Sequence, residues 1–519
     1  MTLLIASIPV DSILDLTQRA DRAWAKGATA VELRIDTFDG DPCEVHAFLR
    51  AHPNRTWIVT CRSAGEGGHF RGNSADRVSR ILAVARGADV CVDFEWSDWK
   101  RSAGIRHKIG LAVERTVHGD RRLILSSHDF QRRPPRLGGT IAEIIAAQSG
   151  SIAKVAYRAE HICESFDALD AMHQYRDALI GIAMGEDGIW SRVLAAKLGA
   201  FGTYCALDDD KSTAPGQCTL DEMIEQYRWE GIDKDTKVFG VLGDPVAHSM
   251  SPVLFNRWFR EAKLNAVYLP LRVRVDGGGL ARFLESCRSR PWLDIGGFSV
   301  TIPHKTAALE WVDGQTDERC KRIGAINTLS FKDGQVRGLN TDSIAAMDSM
   351  IAALGRTPTK ARGLTVDVLG TGGVARAVLA GLQALGCDTV VYGRTADRTQ
   401  AIAGEFGATP AEWQHLDRRA GSVVINCTSV GMWPDVDATP LTATQLGGCS
   451  LVFDIVYRPL ETRLLSEAAK VGAATLGGLD MFVGQAALQM EQWTGVRPDR
   501  ASARDWVARE INTRSKRSS

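Results

Sequence analysis

The amino-acid sequence predicts an α/β protein in two parts, an N-terminal (β/α)8 barrel (TIM barrel) and a following two-domain unit that contains a Rossmann domain. Eight short apolar segments alternate with helical patterns over the first half of the chain, which is the strand count of such a barrel. In the second half, the glycine-rich turn Gly370–Ala375 lies between an apolar strand and a helix, as in Rossmann domains. A length of 519 residues also indicates more than one domain.

Composition narrows the class of protein. Lys plus Arg and Asp plus Glu are 62 each, so no overall charge favours nucleic acid or an anionic membrane as a partner. The eleven cysteines are scattered without a CxxC pair, which predicts reduced thiols in the cytoplasm and argues against zinc or a disulfide framework. The first apolar run, Leu3–Val10, is only a strand long, so neither a signal peptide nor a membrane anchor is expected.

The predicted barrel strands are short apolar runs that end in polar residues. Between them lie segments with helical spacing, such as Asp76–Arg86, where Val78, Ile81 and Leu82 recur on one face. The predicted strands are Leu3–Val10, Ala30–Asp36, Thr56–Arg62, Val90–Glu95, Leu123–His128, Ile152–Arg158, Leu179–Gly185 and Phe201–Leu207.

Chemistry in a (β/α)8 barrel takes place at the carboxyl ends of the strands, so the polar residues there are candidate site residues. Three arginines among them are expected to converge and to hold a substrate carboxylate through bidentate contacts. The candidates are Glu32, Arg34, Arg62, His128, Lys154, Arg192 and Gln217.

Lys154 lies within the apolar run Ile152–Ala156, which leaves two interpretations. Its amine either pairs with a buried acid as part of the structure or is kept partly neutral by desolvation and acts as a nucleophile. A position in a barrel mouth together with a strand-end histidine favours chemistry. His128 is then the natural proton carrier, and the alternative is a histidine hydrogen-bonded to Asp129 or a neighbour.

A series of motifs in the first half resembles type I 3-dehydroquinate dehydratase. They are Glu32-Leu-Arg-Ile-Asp36, Thr60-Cys-Arg62 with Glu66-Gly-Gly68, Ser126-Ser-His-Asp-Phe130, Lys154, Met184-Gly185 with Ser191-Arg192, and Ala214-Pro-Gly-Gln217. The resemblance implies that Lys154 forms an imine (Schiff base) with the ketone of 3-dehydroquinate, while His128 removes the adjacent proton and helps water to leave. It also implies that the substrate is bound by Ser7, Glu32, Arg34, Arg62, Arg192, Thr213 and Gln217.

A second enzyme pattern begins at Lys237, after the charged, turn-like segment Glu230–Asp235. The apolar strand Val238–Leu242 is followed by a turn that presents Ser249 and Ser251 ahead of a predicted helix. Two hydroxyls at the carboxyl end of a strand could hold a polyhydroxylated acid. The alternative is that Ser251 only caps the helix.

Lys305 and Asp342 each follow a predicted strand, 37 residues apart in the sequence. If the fold brings them together, they form an ammonium and carboxylate pair that can pass a proton to a ketone oxygen. The alternative for each is an ordinary surface salt bridge of little energetic value.

The strand after the glycine-rich turn predicts the cofactor. NAD sites usually have Asp or Glu at its end, whereas here the chain reads Gly393-Arg-Thr-Ala-Asp-Arg398. Arg394, Thr395 and Arg398 replace the acid, which favours the 2′-phosphate of NADP. Asp397 is interpreted as the cap of the next helix.

Motifs throughout the second half resemble shikimate dehydrogenase. They are Ser249 and Ser251, Thr301 with Lys305, Asn327, Asp342, Gly370–Ala375, Arg394-Thr395, Asn426–Gly431, Asp454–Tyr457 and Gly478–Gln485, while Gly393 departs from the Asn common in this family. The resemblance implies that Lys305 and Asp342 are catalytic. It implies a substrate pocket of Ser249, Ser251, Thr301, Asn327, Tyr457 and Gln485. It further implies cofactor contacts from Gly370, Thr371, Gly372, Gly373, Val374, Ala375, Arg394, Thr395, Arg398, Ile455 and Gly478.

The predicted domains are residues 1–232 for the barrel, 237–342 for a substrate-binding domain, 343–480 for the Rossmann domain, and 481–519 for a C-terminal helix that returns to the substrate domain plus a tail. The leading hypothesis is a bifunctional enzyme of the shikimate pathway, which leads to chorismate and the aromatic amino acids. It would combine a lyase and an oxidoreductase, the second half using the product of the first. The alternatives are a quinate-directed dehydrogenase fused to the dehydratase, and a metabolite-sensing regulator built on the same folds.

Overall fold

The computed structural model describes residues 1–113, 123–208, 216–276, 279–419 and 421–518. Its Cα positions divide into two compact units. Unit 1 contains Met1–Val238 and Asn265–Asp294, and unit 2 contains Phe239–Leu264 and Ile295–Ser519.

Unit 1 contains the predicted eight-stranded parallel sheet. The neighbouring strands follow the order β7-β6-β5-β4-β3-β2-β1-β8. The backbone N–H of Phe201, just before β8, donates to Leu179 O at the start of β7 at 2.9 Å. The bounds agree with the predicted segments within a few residues. They are β1 Leu3–Pro9, β2 Ala30–Arg34, β3 Trp57–Thr60, β4 Val90–Glu95, β5 Leu123–Asp129, β6 Ile152–Arg158, β7 Leu179–Met184 and β8 Gly202–Ala206.

Apolar side chains from different strands fill the interior of this sheet, among them Ile5, Ile58, Ile124, Ile152 and Ile180, all fully buried. Such layers leave the strand ends as the place for polar groups. The helices between the strands are α1 Ile13–Ala25, α2 Pro42–Ala51, α3 Ser74–Ala85, α4 Trp96–Trp99, α5 Ala103–Val113, α6 Leu137–Ala147, α7 Phe166–Tyr175 and α8 Ile189–Val193.

The segment Asn265–Asp294 belongs to unit 1 although it follows the barrel in sequence. It contains strand β10 (Ala266–Arg272) and helix α10 (Gly279–Arg288). Two of its arginines form ion pairs with barrel carboxylates: Arg272 with Asp187, and Arg290 with Asp170.

Unit 2 contains the strands β11 (Ile295–Val300), β12 (Thr328–Lys332) and β13 (Gln335–Leu339), which pair antiparallel in that order. It also contains strand β9 (Lys237–Gly243) from Phe239 onward, while the first two residues of that strand belong to unit 1. A second sheet has the order β16-β15-β14-β17-β18-β19, and its strands are parallel, which is the doubly wound arrangement predicted from the glycine-rich turn. Its strands are β14 Thr365–Leu369, β15 Asp388–Gly393, β16 Thr409–Glu412, β17 Val423–Asn426, β18 Leu451–Asp454 and β19 Ala474–Leu476.

The helices of unit 2 confirm the predicted elements and add a long C-terminal one. The basic stretch Arg514–Arg517, part of the predicted C-terminal tail, lies within the last helix. The helices are α9 Ser251–Glu261, α11 Lys305–Trp311, α12 Glu318–Ile323, α13 Asp342–Ala353, α14 Gly373–Leu385, α15 Ala396–Phe406, α16 Ala443–Leu446, α17 Arg463–Lys470, α18 Gly478–Thr494 and α19 Arg500–Ser518.

Candidate active sites

The carboxyl ends of the barrel strands bring most of the predicted polar side chains around one cavity. Ser7 lies beside it, where its hydroxyl donates to Glu32 Oε2 at 2.5 Å. Thr213 lies outside the described residues. The cavity is lined by Glu32, Arg34, Arg62, Glu66, Gly67, His128, Phe130, Lys154, Ala156, Ile182, Met184, Arg192, Tyr204 and Gln217.

Lys154 lies in β6 and its side chain is buried. Its Nζ donates to Asp93 Oδ2 at 2.8 Å and lies 3.6 Å from Glu32 Oε1. The same nitrogen lies 3.8 Å from the centre of the Tyr204 ring, in cation–π geometry. Lys154 therefore pairs with a buried acid and also lines the cavity, so the pairing does not exclude a chemical role.

Asp93 is completely enclosed and contacts two cations. Burial alone would raise the pKa of its carboxyl group, but the charges of Arg62 and Lys154 outweigh burial and hold the pKa below its ordinary value. Arg62 Nη2 lies 2.9 Å from Asp93 Oδ1, and Ser126 Oγ donates to the same oxygen at 2.6 Å. Asp93 thus stays ionised and fixes Arg62 and Lys154 side by side.

His128 lies at the end of β5, where its Nδ1 is 2.9 Å from Glu66 Oε2. The hydrogen bond to Asp129, considered from the sequence, is replaced by this contact with Glu66. Burial, and then the positive charges of Arg62 and Lys154, lower the pKa of His128 well below 6.5. The imidazole is therefore neutral near pH 7 and can accept a proton.

The three arginines differ in their remaining donors. Arg34 donates Nε and Nη2 to Asp36 at 2.8 Å each. Arg62 donates Nη1 to Ser126 Oγ at 2.7 Å and pairs with Asp93. Arg192 is 1% exposed, and its Nε and Nη2 have no hydrogen-bond partner among the described residues. A buried guanidinium with open donors at a cavity is suited to a carboxylate, so Arg192 is the arginine best placed to bind one.

Three residues that sequence reasoning did not select belong to this site: Glu66, Asp93 and Tyr204. Glu66 had a signal, since it occurs in the motif Glu66-Gly-Gly68 near Arg62. Asp93 also had one, because it is an acid inside the apolar strand β4 and so requires a buried cation. Tyr204 had no signal, since an aromatic residue in a strand is ordinarily part of the core.

The lowered pKa of His128 predicts the pH dependence of any reaction that uses it as a base. A base works only when it is unprotonated, so activity is lost as pH falls through its pKa. We expect the acid limb of kcat/KM for barrel chemistry to have its midpoint below pH 6.5, the ordinary pKa of histidine. Steady-state rates between pH 5 and pH 8 (about the range in which histidine titrates) would test this, with circular dichroism to check that the protein stays folded. A midpoint at or above the ordinary value would contradict it.

In unit 2, the fold brings Lys305 and Asp342 together. Lys305 begins α11 and Asp342 begins α13, and Nζ lies 2.6 Å from Oδ2. Their side chains are only 12% and 8% exposed, so the pair is not the surface salt bridge considered as the alternative. The Lys305 side chain also approaches the glycine-rich turn, since a Cβ added at Gly373 would lie 3.5 Å from Lys305 Cδ.

One polar residue predicted for the substrate pocket, Asn327, contacts the residue that precedes Asp342, and the others have contacts of their own. Asn327 bonds to Thr341 and lies 3.5 Å from Gln485 Oε1. Tyr457 stacks on Phe482 with ring centres 4.7 Å apart. Ser251 is the first residue of α9, and its backbone N–H donates to Ser249 Oγ at 3.2 Å, while Met250 is the N-cap. The interpretation of Ser251 as a helix cap is therefore wrong.

Thr301 follows β11 and is packed against Gly243 at the end of β9. A Cβ at Gly243 would lie 2.3 Å from Thr301 Cγ2, so the close approach requires glycine. This contact places Thr301 next to the turn that leads to Ser249. Both strand ends thus contribute a hydroxyl to the same part of unit 2.

The glycine-rich turn has the form expected for a pyrophosphate site. Gly370 has φ of 108°, which favours glycine, and a Cβ at Gly372 would meet no atom within 4 Å. The open backbone of Gly372 leads directly into the 13 residues of α14, whose N-terminal N–H groups favour an anion. Thr371 and Val374 are half-buried and Ala375 is buried within this turn.

Arg394, Thr395 and Arg398 are exposed after β15, as a site for a bound phosphate requires. The residue before them, Gly393, has no room for a side chain, because a Cβ there would lie 2.1 Å from Thr399 Oγ1. Asp397 lies in the first turn of α15, whose N-cap is Thr395, so its interpretation as the cap is wrong.

Ile455 and Gly478, the remaining predicted cofactor residues, touch each other. A Cβ at Gly478 would lie 1.9 Å from Ile455 O, so the start of α18 can pack against the end of β18 only with glycine at this position. This packing explains why glycine occupies position 478 without reference to any ligand.

Two negative observations concern the described parts of the chain. No helix there has both the length and the apolar character needed to cross a membrane. Nor does any group of three or more His, Cys, Asp and Glu there have the arrangement of a metal site.

Family models match both halves of the chain. The model of type I 3-dehydroquinase matches residues 4–234. The shikimate dehydrogenase substrate binding domain matches residues 241–329, and the shikimate 5'-dehydrogenase C-terminal domain matches residues 478–505.

Relatives match either the whole chain or its second half. The bifunctional 3-dehydroquinate dehydratase/shikimate dehydrogenase (chloroplastic) of Arabidopsis thaliana is 35% identical over 515 residues, 95% of this chain and 82% of that protein. The NADP(+) shikimate dehydrogenase of Methanocaldococcus jannaschii is 36% identical and covers 52% of this chain and 95% of its own length. A crystal structure of a shikimate dehydrogenase with NADP+ has a TM-score of 0.50 at 34% identity, covering 54% of this chain and 97% of its own.

The relative from Arabidopsis thaliana exceeds 30% identity over nearly the whole chain, and each half also matches its own family model in the same order. Among the residues that carried each resemblance, Glu32, Arg34, Arg62, His128, Lys154, Arg192 and Gln217 line one cavity in unit 1, and Lys305 and Asp342 form an ion pair in unit 2. The chain therefore belongs to the family of bifunctional 3-dehydroquinate dehydratase/shikimate dehydrogenases.

Proposed function

We propose that the chain catalyses two consecutive reactions. The barrel dehydrates 3-dehydroquinate to 3-dehydroshikimate, and the second half reduces 3-dehydroshikimate to shikimate with NADPH. One observation carries the proposal: in a chain that matches a bifunctional relative throughout, each half has a reactive pair, Lys154 with His128 and Lys305 with Asp342.

In the dehydration, the Lys154 amine attacks the ketone carbon of 3-dehydroquinate and the ketone oxygen leaves as water, giving a protonated imine. The neutral His128 removes a proton from the carbon next to the imine carbon. It then returns this proton to the departing hydroxyl group, which leaves as a second water. Hydrolysis of the imine releases 3-dehydroshikimate and restores the amine, so the reaction has a net loss of one water.

The remaining cavity residues bind and orient the substrate. Arg192 has open donors and binds the carboxylate, while Glu32 and Gln217 contact ring hydroxyls. Thr213, Arg34, Arg62 and Ser7 complete the proposed set. Glu66 holds the His128 ring in place through the contact of 2.9 Å.

In the reduction, the hydride for the ketone carbon would come from NADPH held at the glycine-rich turn Gly370–Ala375. Lys305 donates a proton to the ketone oxygen as charge develops there, and Asp342 keeps the ammonium in position. Ser249, Ser251, Thr301, Asn327, Tyr457 and Gln485 hold the ring hydroxyls and the carboxylate. The open backbone at Gly372 and the exposed Arg394 and Arg398 fit the pyrophosphate and the 2′-phosphate.

We also propose the domain division into residues 1–232, 237–342, 343–480 and 481–519. All eleven cysteines are free, which supports a reducing compartment such as the cytoplasm. Both substrates are small molecules.

The direct test is to supply purified protein with 3-dehydroquinate and NADPH and to identify the products. We expect 3-dehydroshikimate to form first and shikimate to accumulate as NADPH is consumed. With NADP+ in the reverse direction, shikimate should be oxidised faster than quinate. Preferential oxidation of quinate would support a quinate-directed dehydrogenase, and binding without turnover would support a regulator.

Cofactor choice should depend on Arg394. We expect Arg394→Asp to lose a charged contact with the 2′-phosphate and to repel it, weakening NADP binding by about ten- to hundredfold and shifting preference toward NAD. KM values for both cofactors would measure this. Dehydratase activity should be unchanged. The control is Arg362→Asp, because Arg362 lies beside Gly386 at the other end of α14, and this change should leave NADP affinity intact. Unchanged NADP affinity in Arg394→Asp would mean that the phosphate binds elsewhere.

A further inference from the structure

The loop Gly185–Gly188, between β7 and α8, is held by a residue from the segment Asn265–Asp294. Asp187 is 2% exposed, and Arg272 donates to its two oxygens at 2.6 and 3.2 Å. The Arg272 Nη1 atom also donates to Glu186 at 2.6 Å. A single guanidinium therefore fixes two successive residues of this loop.

This loop determines where Arg192 lies. Ser191 Oγ donates to Gly188 O at 2.7 Å and accepts from the backbone N–H of Ala183 at 3.0 Å. The first bond ties the short helix α8 to the loop, and the second ties it directly to β7. Since Arg192 follows Ser191 in α8 and lines the cavity, a displacement of the loop would move its guanidinium.

Two other contacts connect the same loop to the cavity and to the segment. A Cβ at Gly216 would lie 2.6 Å from the backbone carbonyl carbon of Gly185, so Gly216, next to Gln217, packs directly on the loop. On the other side, the Trp190 ring lies 5.6 Å from the ring of Phe283 in α10. One segment thus holds the loop through an ion pair and contacts the helix that carries Arg192 through an aromatic pair.

We infer that Arg272 is a positioning residue for the dehydratase reaction, although it lies in the stretch that matches the shikimate dehydrogenase substrate binding domain. Its contacts with Asp187 and Glu186 hold the loop so that Arg192 meets the substrate carboxylate. The inference rests on the proposed role of Arg192 as a substrate ligand. It means that a complete dehydratase site requires residues beyond the barrel sequence.

Arg272→Ala in the full-length protein tests this. We expect KM for 3-dehydroquinate to rise about five- to twentyfold with a smaller change in kcat, because binding by a displaced Arg192 is lost while Lys154 and His128 stay in place. The reduction of added 3-dehydroshikimate should be unchanged. Arg272→Lys keeps the charge but loses the bidentate contact, so its KM should lie between that of the unaltered protein and that of Arg272→Ala.

The matched control is Arg290→Ala. Arg290 belongs to the same segment and binds Asp170 in α7 through contacts of 2.7 and 2.6 Å, but it does not touch the loop before α8. If Arg272 merely attaches the segment to the barrel, both variants will change KM equally and the inference is wrong. Equal losses of both activities together with a lowered melting temperature in Arg272→Ala and Arg272→Lys would also overturn it.

Arg192→Ala separates the inference from the proposed function. A large rise in KM for Arg192→Ala with normal KM for Arg272→Ala would reject the positioning role and leave the substrate role of Arg192 intact. Normal KM in Arg192→Ala would reject the substrate role itself. We expect KM for 3-dehydroquinate to rise in both Arg192→Ala and Arg272→Ala and to stay normal in Arg290→Ala.

Discussion

Lys154→Ala is expected to lose dehydratase activity by at least about a thousandfold, while the reduction of 3-dehydroshikimate continues at its normal rate. The amine is the only group of the proposed mechanism that can form the imine, and neither His128 nor Glu66 can replace it. Separate assays of the two reactions would measure this. Reduction with borohydride in the presence of 3-dehydroquinate should add the mass of the ligand to the Lys154 peptide of the unaltered protein.

Lys197 provides a matched control within the same unit. It is also a buried lysine, with a pKa lowered by burial, but its Nζ donates to the backbone carbonyl of Lys234 at 2.9 Å and it does not line the cavity. Lys197→Met should keep imine formation at Lys154. If borohydride traps the ligand on Lys197, or if Lys154→Ala still dehydrates, the proposed mechanism is wrong.

The barrel could be predicted from the sequence because its signal is local and repeated. Each strand is a short apolar run with polar residues at its end, and eight such runs fit one architecture. The residues at those ends, such as His128 and Lys154, follow directly once the barrel is recognised. Element ends differed by a few residues, as at β2, which ends at Arg34 and not at Asp36.

Pairings between distant residues could not be predicted from periodicity, which contains no information on them. Asp93 meets Lys154 across 61 residues, and Arg272 meets Asp187 across 85 residues. The second pairing also joins two predicted domains, since Asp187 lies in the predicted barrel (1–232) and Arg272 in the predicted substrate-binding domain (237–342). Such contacts depend on packing of complete elements, which only the structure shows.

Helix caps were predicted less well than helices. Ser251 and Asp397 are both good capping residues, but each lies inside the first turn, and Met250 and Thr395 occupy the N-cap positions. A capping residue type one or two positions from a helix start does not fix where the helix begins.

Lys305→Ala is expected to reduce shikimate dehydrogenase activity by about a hundred- to ten-thousandfold and to leave dehydration unchanged, since a positioned proton donor contributes about this much. Asp342→Asn should have a smaller effect, because the amide still accepts a hydrogen bond from Lys305 but carries no charge. The rate of NADPH oxidation with 3-dehydroshikimate would measure both. NADPH binding, followed by its fluorescence, should persist, which separates lost chemistry from a lost cofactor site near Gly373.

Lys321→Ala is the control for this last prediction. Lys321 also contacts a carboxylate at 2.6 Å, that of Glu318, but its side chain is 49% exposed and that of Glu318 is 88% exposed. An exposed pair of this kind has little energetic value, so this variant should keep both activities. The contrast isolates what Lys305 gains from its enclosure with Asp342 beside the glycine-rich turn. If Lys305→Ala keeps normal reduction, the proton donor is another group, and if it stops dehydration as well, the two reactions do not have separate sites.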